Sequence, residues 1–414
     1  MAPPDQIVLR LRGVLRRLRD PVQEFLATES AGAVVLALAA VAAIAWATFA
    51  THSYEVLWTH EFAVHLGGWS WHLNLQELAE DGLMPIFFFV VGLEIKREIA
   101  VGELSSLRVA LVPVIAALGG MLVPAAIYFG FTHGTLGANG WGVPMATDIA
   151  FVVGALQLLG ARVSSQLMVF MLAIAVVDDI GAIIVIAIWY SHGVQVTWIV
   201  GSVMCLGLTW LLLARGVRVV PIYIVLGIAS CLMMWAGAVS PTIAAVGLGL
   251  LMPMTPWRRS EVTASGAPSA TTVERLEHVV HPWSAFLVLP LFALACAGIP
   301  LTAGALHHGA TSRIALGVVL GLVVGKPVGV FGATWAAVAL GLGALPQGLR
   351  WAHVAGGAAL AGIGFTVAIF ISSLAFTEPA LKNTAEIGIL AGSLISALLG
   401  IVILLAVARG EVRT

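Results

Sequence analysis

Gln166-Leu-Met-Val-Phe-Met-Leu-Ala-Ile-Ala-Val-Val-Asp178-Asp179-Ile-Gly-Ala-Ile-Ile-Val-Ile-Ala-Ile-Trp-Tyr190 is a 25-residue run with two adjacent aspartates near its centre and no other charge. A helix of about 20 apolar residues crosses a ~30 Å hydrocarbon core. At 1.5 Å per residue, Asp178 and Asp179 lie about 18–20 Å beyond Gln166, close to the middle of that core. An ionisable group at such depth costs about 2.5–3.5 kcal/mol on an insertion scale, and so points to function. This stretch places the chain in lipid and its chemistry at the bilayer centre.

Outward from it, comparable apolar runs recur near 31–50, 78–100, 108–131, 141–159, 196–214, 219–236, 239–253, 282–303, 314–340, 352–376 and 384–408. With 166–190 they predict an all-α integral membrane protein of twelve transmembrane helices. Composition agrees: of 414 residues 60% are apolar and 10% charged, with mean hydropathy +1.02. Soluble proteins carry about 25% charged residues, so soluble enzymes are excluded. A net charge of −1 leaves no basic excess for a nucleic-acid partner. Cys205, Cys231 and Cys296, odd in number and inside apolar runs, read as small buried hydrophobes rather than a disulfide framework.

Lys and Arg set the orientation. With the N-terminus inside, inner segments hold 17 of the 20, outer loops hold only Arg313 and Lys382, and Lys326 lies within a span. The expectation is one membrane domain over 30–408, multi-pass, with both termini cytoplasmic. Residues 1–29 read as an amphipathic cytoplasmic helix, with Ile7, Leu11, Val14, Leu15, Leu18 and Val22 at helical spacing and five Arg on the remainder. A cytoplasmic loop covers 254–281, with a flexible Thr263–Thr272 stretch, and 409–414 form a cytoplasmic tail. In the outer loop 60–74, Phe62–Leu66 and Trp69–Leu73 flank Gly67-Gly68 and predict a short periplasmic β-hairpin. Its open edge invites a strand from a second copy, giving a homodimer; an ordinary ordered loop is the alternative.

Further charges lie at depth. Lys326 is 12 residues beyond Ile314 in the tenth span, and Asp148 seven beyond Trp141 in the fourth. One Asp–Lys salt bridge would leave two carboxylates without a partner, each costly to keep ionised. A site that takes small cations, or protons in their place, accounts for the surplus. Ala175, Gly181 and Ala182 beside the aspartates let another backbone come close. Span 4, with Gly140, Gly142 and Pro144 ahead of Thr147-Asp148, reads as a broken helix. So does span 11, with Gly356, Gly357, Gly362 and Gly364 ahead of Thr366. Membranes tolerate such breaks only where protein or water covers the backbone. Span 10 carries Gly317, Gly321, Gly325 and Gly329 at four-residue spacing, suited to close crossing, and Lys326-Pro327 interrupts it. Spans 3–5 and 10–12 enter from opposite sides with a broken central member each, an inverted-topology repeat with its site at the midplane.

These residues resemble the NhaA-type sodium/proton antiporters, themselves an example of inverted-repeat transporters. The likeness runs through Asp81-Gly-Leu-Met-Pro, Gly92-Leu-Glu94-Ile-Lys-Arg97-Glu98 and Pro144-Met-Ala-Thr147-Asp148. It continues in Val177-Asp178-Asp179-Ile-Gly-Ala, Arg275-Leu-Glu277-His278-Val-Val-His281-Pro, Gly325-Lys326-Pro327 and Gly362-Ile-Gly-Phe-Thr366. It implies exchange of cytoplasmic Na⁺ or Li⁺ for external H⁺ across a bacterial inner membrane, for sodium and pH homeostasis, with no cofactor. It further implies that Asp178 and Asp179 carry Na⁺ and protons, Lys326 is the charge partner of Asp178, and Thr147 and Asp148 belong to the crossing of the broken helices. Glu94, Arg97, Glu98, Glu277, His278 and His281 would form a pH-responsive cytoplasmic funnel, and Asp81 would line the outward side. Read without the family, the funnel group is equally a set of surface pairs. The chain departs from well-known members at Ser240, where they have His, and at Cys296, where they have Asn. A sodium-coupled organic-anion symporter is the rival within transport. An intramembrane aspartyl protease using Asp148 and Asp178 is the rival among enzymes.

Overall fold

The computed structural model describes residues 30–66, 69–191, 193–255, 271–346 and 348–411. The amphipathic segment expected over 1–29 and most of the flexible stretch after Thr263 lie outside them. Helix α1 (Ser30–Phe49) is followed by α2 (Thr51–Thr59) and by strands β1 (Phe62–Leu66) and β2 (Trp69–Leu73). The strands pair antiparallel, Phe62 opposite Leu73 and Leu66 opposite Trp69, so the expected hairpin forms. An Asn74–Glu77 capping box then starts α3 (Leu75–Glu77), which passes through a wide π-helical turn, Leu78–Leu83, into α4 (Met84–Val101).

Next come α5 (Leu107–Thr132), tight 3₁₀ turns over Leu136–Met145, α6 (Ile149–Leu159) and α7 (Ser165–Trp189). They are followed by α8 (Val196–Ala214), α9 (Val220–Ala236) and α10 (Pro241–Leu251). Helix α11 (Thr272–Trp283) continues through a π turn into α12 (Leu289–Cys296). Short α13 (Ala303–Thr311) precedes α14 (Arg313–Leu320), a third π turn over Gly321–Gly325, and α15 (Lys326–Ala339). The chain closes with α16 (Trp351–Leu360), α17 (Phe365–Ala375) and α18 (Pro379–Glu411).

Seven continuous helical stretches among the described residues are long and apolar enough to cross a membrane, and two bent pairs raise the number to nine. One pair joins Leu136–Met145 to α6 at 41°, the other joins α16 to α17 at 47°. The molecule is an all-helical, multi-pass membrane protein apart from its hairpin. Lipid offers backbone groups no partner, so only elements that satisfy themselves persist in it. Helix α7 has the largest buried share of the seven and α8 the smallest, which puts the aspartate helix at the centre.

Three expectations need correction. Residues 272–281 are not loop: Thr271 and Glu274 form a capping box, and the helix runs from Thr272 through to Cys296. Its first turns carry Glu274, Arg275, Glu277 and His278, whose polarity hides an amphipathic helix from a hydropathy reading. The last helix likewise extends through Glu411, past the expected start of a tail at 409. Lys326-Pro327 does not interrupt span 10: the helix runs on through the π turn into α15, and the Leu322 carbonyl, which the proline cannot serve, takes the Ser396 hydroxyl at 3.4 Å.

The glycine repeat of span 10 does set a close crossing. Gly317, Gly321, Gly325 and Gly329 lie against Tyr128, Pro124 and Gly119 of α5 and Pro144 beyond it. The approach is tightest at Gly329, where a Cβ would come within 2.2 Å of the Gly119 carbonyl oxygen.

Candidate functional site

Asp178 and Asp179 are each 2% exposed and Lys326 is 1% exposed. The crossing of α5 with α15 and α7 brings them together. Lys326 Nζ donates to Asp178 Oδ2 in a fully buried ion pair. The Thr147 hydroxyl lies 2.5 Å from the same Oδ2 and 3.0 Å from the Ala361 carbonyl. It has one proton to give, so it serves one acceptor at a time. Asp178 Oδ1 and Asp179 Oδ2 are buried with no hydrogen-bond partner among the described residues. Buried carboxylate oxygens are rarely left so, since each forfeits its hydration. Such oxygens are ready acceptors for a hard cation or a proton.

The two bends of the fold meet beside this pair. The Asp148 N–H donates to the Ile363 carbonyl at 2.7 Å. Asp148 Oδ2 accepts the Thr366 N–H at 3.0 Å and also the Thr366 hydroxyl, while Oδ1 accepts the Phe151 N–H and caps α6. Unwound backbone at 146–148 and 361–364 is thus satisfied by its counterpart, which is how a broken helix survives in lipid. Asp148 is a strut between the breaks. An aspartyl protease would need it to face Asp178 across a water, and its oxygens are already committed. Gly181, expected to admit a backbone, instead packs on the Met121 side chain of α5.

A family model described as Na⁺/H⁺ antiporter 1 matches residues 23–404. The chain belongs to the Na⁺/H⁺ antiporter 1 family. It is 43% identical to a protein of Frankia alni named Na(+)/H(+) antiporter NhaA 3, over 95% of this chain and 90% of that one. It is also 43% identical to Na(+)/H(+) antiporter NhaA 2 of Sorangium cellulosum, over 97% and 93%. Na(+)/H(+) antiporter NhaA of Rhodopirellula baltica is 39% identical over 97% of both chains.

Within this antiporter family member the expected funnel residues separate. A cavity of about 30 Å³, room for a water or two, is lined by Glu94, Asp148, His281, Ser284 and apolar side chains of α4 and α6. It lies beside the crossing, between the middle of α4 and the start of α6. Arg97 pairs with Glu277 at 2.5 Å, tying α4 to α11. Glu277 Oε2 is buried without a hydrogen-bond partner among the described residues. Glu98 turns away, its Oε1 accepting the Glu103 N–H at 2.7 Å after the helix ends. His281 is buried and His278 exposed, so the two do not act as one group. Asp81 sits in the π turn at the opposite end of α4.

Sequence reading missed three contributors. The Ala361 and Ile363 carbonyls carry no side-chain signal. Gly119 and Gly120 of α5 face α15, with Gly120 against the Lys326 side chain. Glu80, Lys382 and Glu386 meet at the end of α4 opposite Arg97. Glu386 falls inside a predicted span, but only two residues past its start at 384, where it passes for an interfacial group.

Proposed function

We propose that this Na⁺/H⁺ antiporter loads cytoplasmic Na⁺ or Li⁺ onto Asp178 and Asp179 and returns with external protons on the same carboxylates, moving net charge each cycle. The observation that carries the reading is the pair of buried carboxylates, each with an unpartnered oxygen, where Lys326 offsets only one of two charges. The family makes the chain a secondary transporter rather than an enzyme. Ions enter past Glu94 and His281. Thr147, switching its proton from Asp178 to the Ala361 carbonyl, frees an oxygen for the cation. Protons then compete for the same oxygens, so loading one expels the other.

The same reading takes α4 with its lead-in, α9 and α10 as spans. Seven continuous spans, two bent ones and these three make twelve. Glu94, Lys96, Arg97 and Glu98 keep α4 out of an apolar count, and α9 and α10 are short. Twelve spans put both termini in the cytoplasm of a bacterial inner membrane, in line with the Lys and Arg distribution. The bent elements are then the centres of an inverted repeat. The hairpin Phe62–Leu73 lies on the periplasmic side, where its open edge pairs with a second copy. Na⁺-dependent dissipation of a pH gradient in proteoliposomes tests the function. Wild-type protein should collapse the gradient on adding Na⁺ or Li⁺ but not K⁺; no response to any of them would end the proposal.

A further inference from the structure

Glu80, Lys382, Glu386 and Cys296 form a second cluster that the exchange cycle does not use, buried at Glu386 and Cys296 and half-buried at Glu80 and Lys382. Glu80 Oε1 accepts from Lys382 Nζ at 2.8 Å, Gln76 Nε2 at 3.2 Å and Cys296 Sγ at 3.5 Å. Glu386 lies four residues beyond Lys382 on α18, is 2% exposed, and its Oε1 has no hydrogen-bond partner among the described residues. It interacts electrostatically with Lys382, Glu80 and Cys296. Two carboxylates against one ammonium leave one negative charge out of water, which is expensive unless something neutralises it. One open oxygen is too few for Na⁺, which like other hard cations needs a shell of them. A proton needs only one.

The position gives the cluster a task. From Glu80 to Arg97 is 17 residues, and from Glu277 to Cys296 is 19. At 1.5 Å per residue each is about 25–29 Å, close to one membrane thickness. These two antiparallel elements are therefore tied at both ends, by Arg97–Glu277 on one side and by the Cys296–Glu80–Lys382 contacts on the other. Lys382 reaches Glu80 across 302 residues of sequence. Ionised Glu386 would offer that ammonium a partner on its own helix face, at i+4. Protonated, it leaves Lys382 to Glu80.

We propose that Glu386 is a second proton-binding site, separate from Asp178 and Asp179, whose protonation holds the Glu80–Lys382 bridge and so closes the outward end of the route. The site rests on the orientation given above for the cycle. The groups that face it are Glu80 of the π turn, Cys296 of α12, Lys382 of α18 and Tyr54 of α2, whose hydroxyl lies 2.9 Å from the Leu294 carbonyl and 2.7 Å from that of Ala295. A proton taken up by the Glu386 carboxylate removes its pull on Lys382. Alkaline conditions outside strip that proton and loosen the bridge.

Cys296, 4% exposed beside the bridge, reports on it. With Cys205→Ser and Cys231→Ser it is the sole thiol, and a membrane-impermeant methanethiosulfonate measures its accessibility in right-side-out and inside-out vesicles. At pH 8.5 outside, Glu386→Gln should label about tenfold more slowly than the parent. At pH 6, Lys382→Met should label about tenfold faster. Electrostatics acting on the thiol alone predicts the reverse of both, because a lost carboxylate favours the thiolate and a lost ammonium disfavours it. Either variant matching the parent, or moving with that electrostatic sign, overturns the proposal, and Lys382→Met decides alone if Glu386→Gln does not reach the membrane. Labelling confined to inside-out vesicles would overturn the orientation instead, with the sign of the variants still reading the bridge.

Discussion

Among the described residues Asp179 has no salt bridge in the site, while Asp178 has Lys326 and Thr147. The two neighbours should therefore fail differently. Asp179→Asn removes a titrating group and changes neither size nor packing, so exchange should vanish in proteoliposomes while expression and melting temperature stay near those of the parent. Exchange at the parent rate would remove Asp179 from the ion path. Lys326→Ala leaves Asp178 charged and buried with no counter-ion, and breaking such a pair costs about 3–5 kcal/mol. The detergent-solubilised variant should melt well below the parent, and Asp178→Asn added to it should recover part of the loss. A double variant melting as low as the single would mean that the pair contributes nothing. Rescue of the fold need not restore transport, because the proposed cycle makes Asp178 itself a carrier.

At the scale of elements, the site depends on how closely α15 lies on α5. Gly329 and Gly119 touch backbone to backbone, three residues from Lys326. Gly329→Ala puts a methyl where a carbonyl oxygen already sits, and overpacking of this kind costs about 1–3 kcal/mol. It should also tilt Lys326 away from Asp178, so exchange should fall more than stability does. Gly332, one turn on, has nothing within 4 Å of the place a Cβ would take, and Gly332→Ala should be neutral or slightly stabilising, since alanine favours a helix by about 1 kcal/mol over glycine. Thermal shift and Na⁺-driven exchange measured side by side separate the two. Equal behaviour of both variants would show that the crossing distance does not matter. The repeat is visible in the sequence as four glycines at four-residue spacing. Its partner surface is not, because Gly119-Gly120 is an ordinary pair until α15 is laid upon it.

For the whole molecule the testable quantity is charge moved. If one Na⁺ leaves on the two carboxylates and two protons return, as the proposed cycle has it, net positive charge enters in each cycle. A transmembrane potential contributes about 2.3 kcal/mol per charge per 100 mV, enough to be felt as a rate. In proteoliposomes an interior-negative potential should accelerate proton entry coupled to Na⁺ exit, and collapsing it should slow exchange. Equal rates with and without an imposed potential, at fixed pH and Na⁺ gradients, would mean one-for-one exchange. Lys326 in place of Asp178 as carrier of a proton leaves the expected sign unchanged, since the pair titrates as a unit.

The residues of the crossing are legible in the order of amino acids alone because lipid makes charge expensive: Asp178, Asp179, Asp148 and Lys326 stand out against apolar runs. The broken helices are legible for a related reason, since Gly and Pro clustered ahead of Thr147 and Thr366 forecast backbone that cannot stay helical. Periodicity and hydropathy act over a turn or a span, and they carry this information intact. What they cannot carry is which face meets which. Only the tertiary structure decided that Thr366 clasps Asp148, that Glu98 turns to its own backbone while Glu277 turns to Arg97, that His281 is buried and His278 is not, and that Lys382 reaches Glu80. Each of these joins residues close in space but separated by many intervening positions, or splits neighbours by the rotation of one helix. A hydrogen bond is decided within about half an ångström, and that precision exists only after the helices have packed.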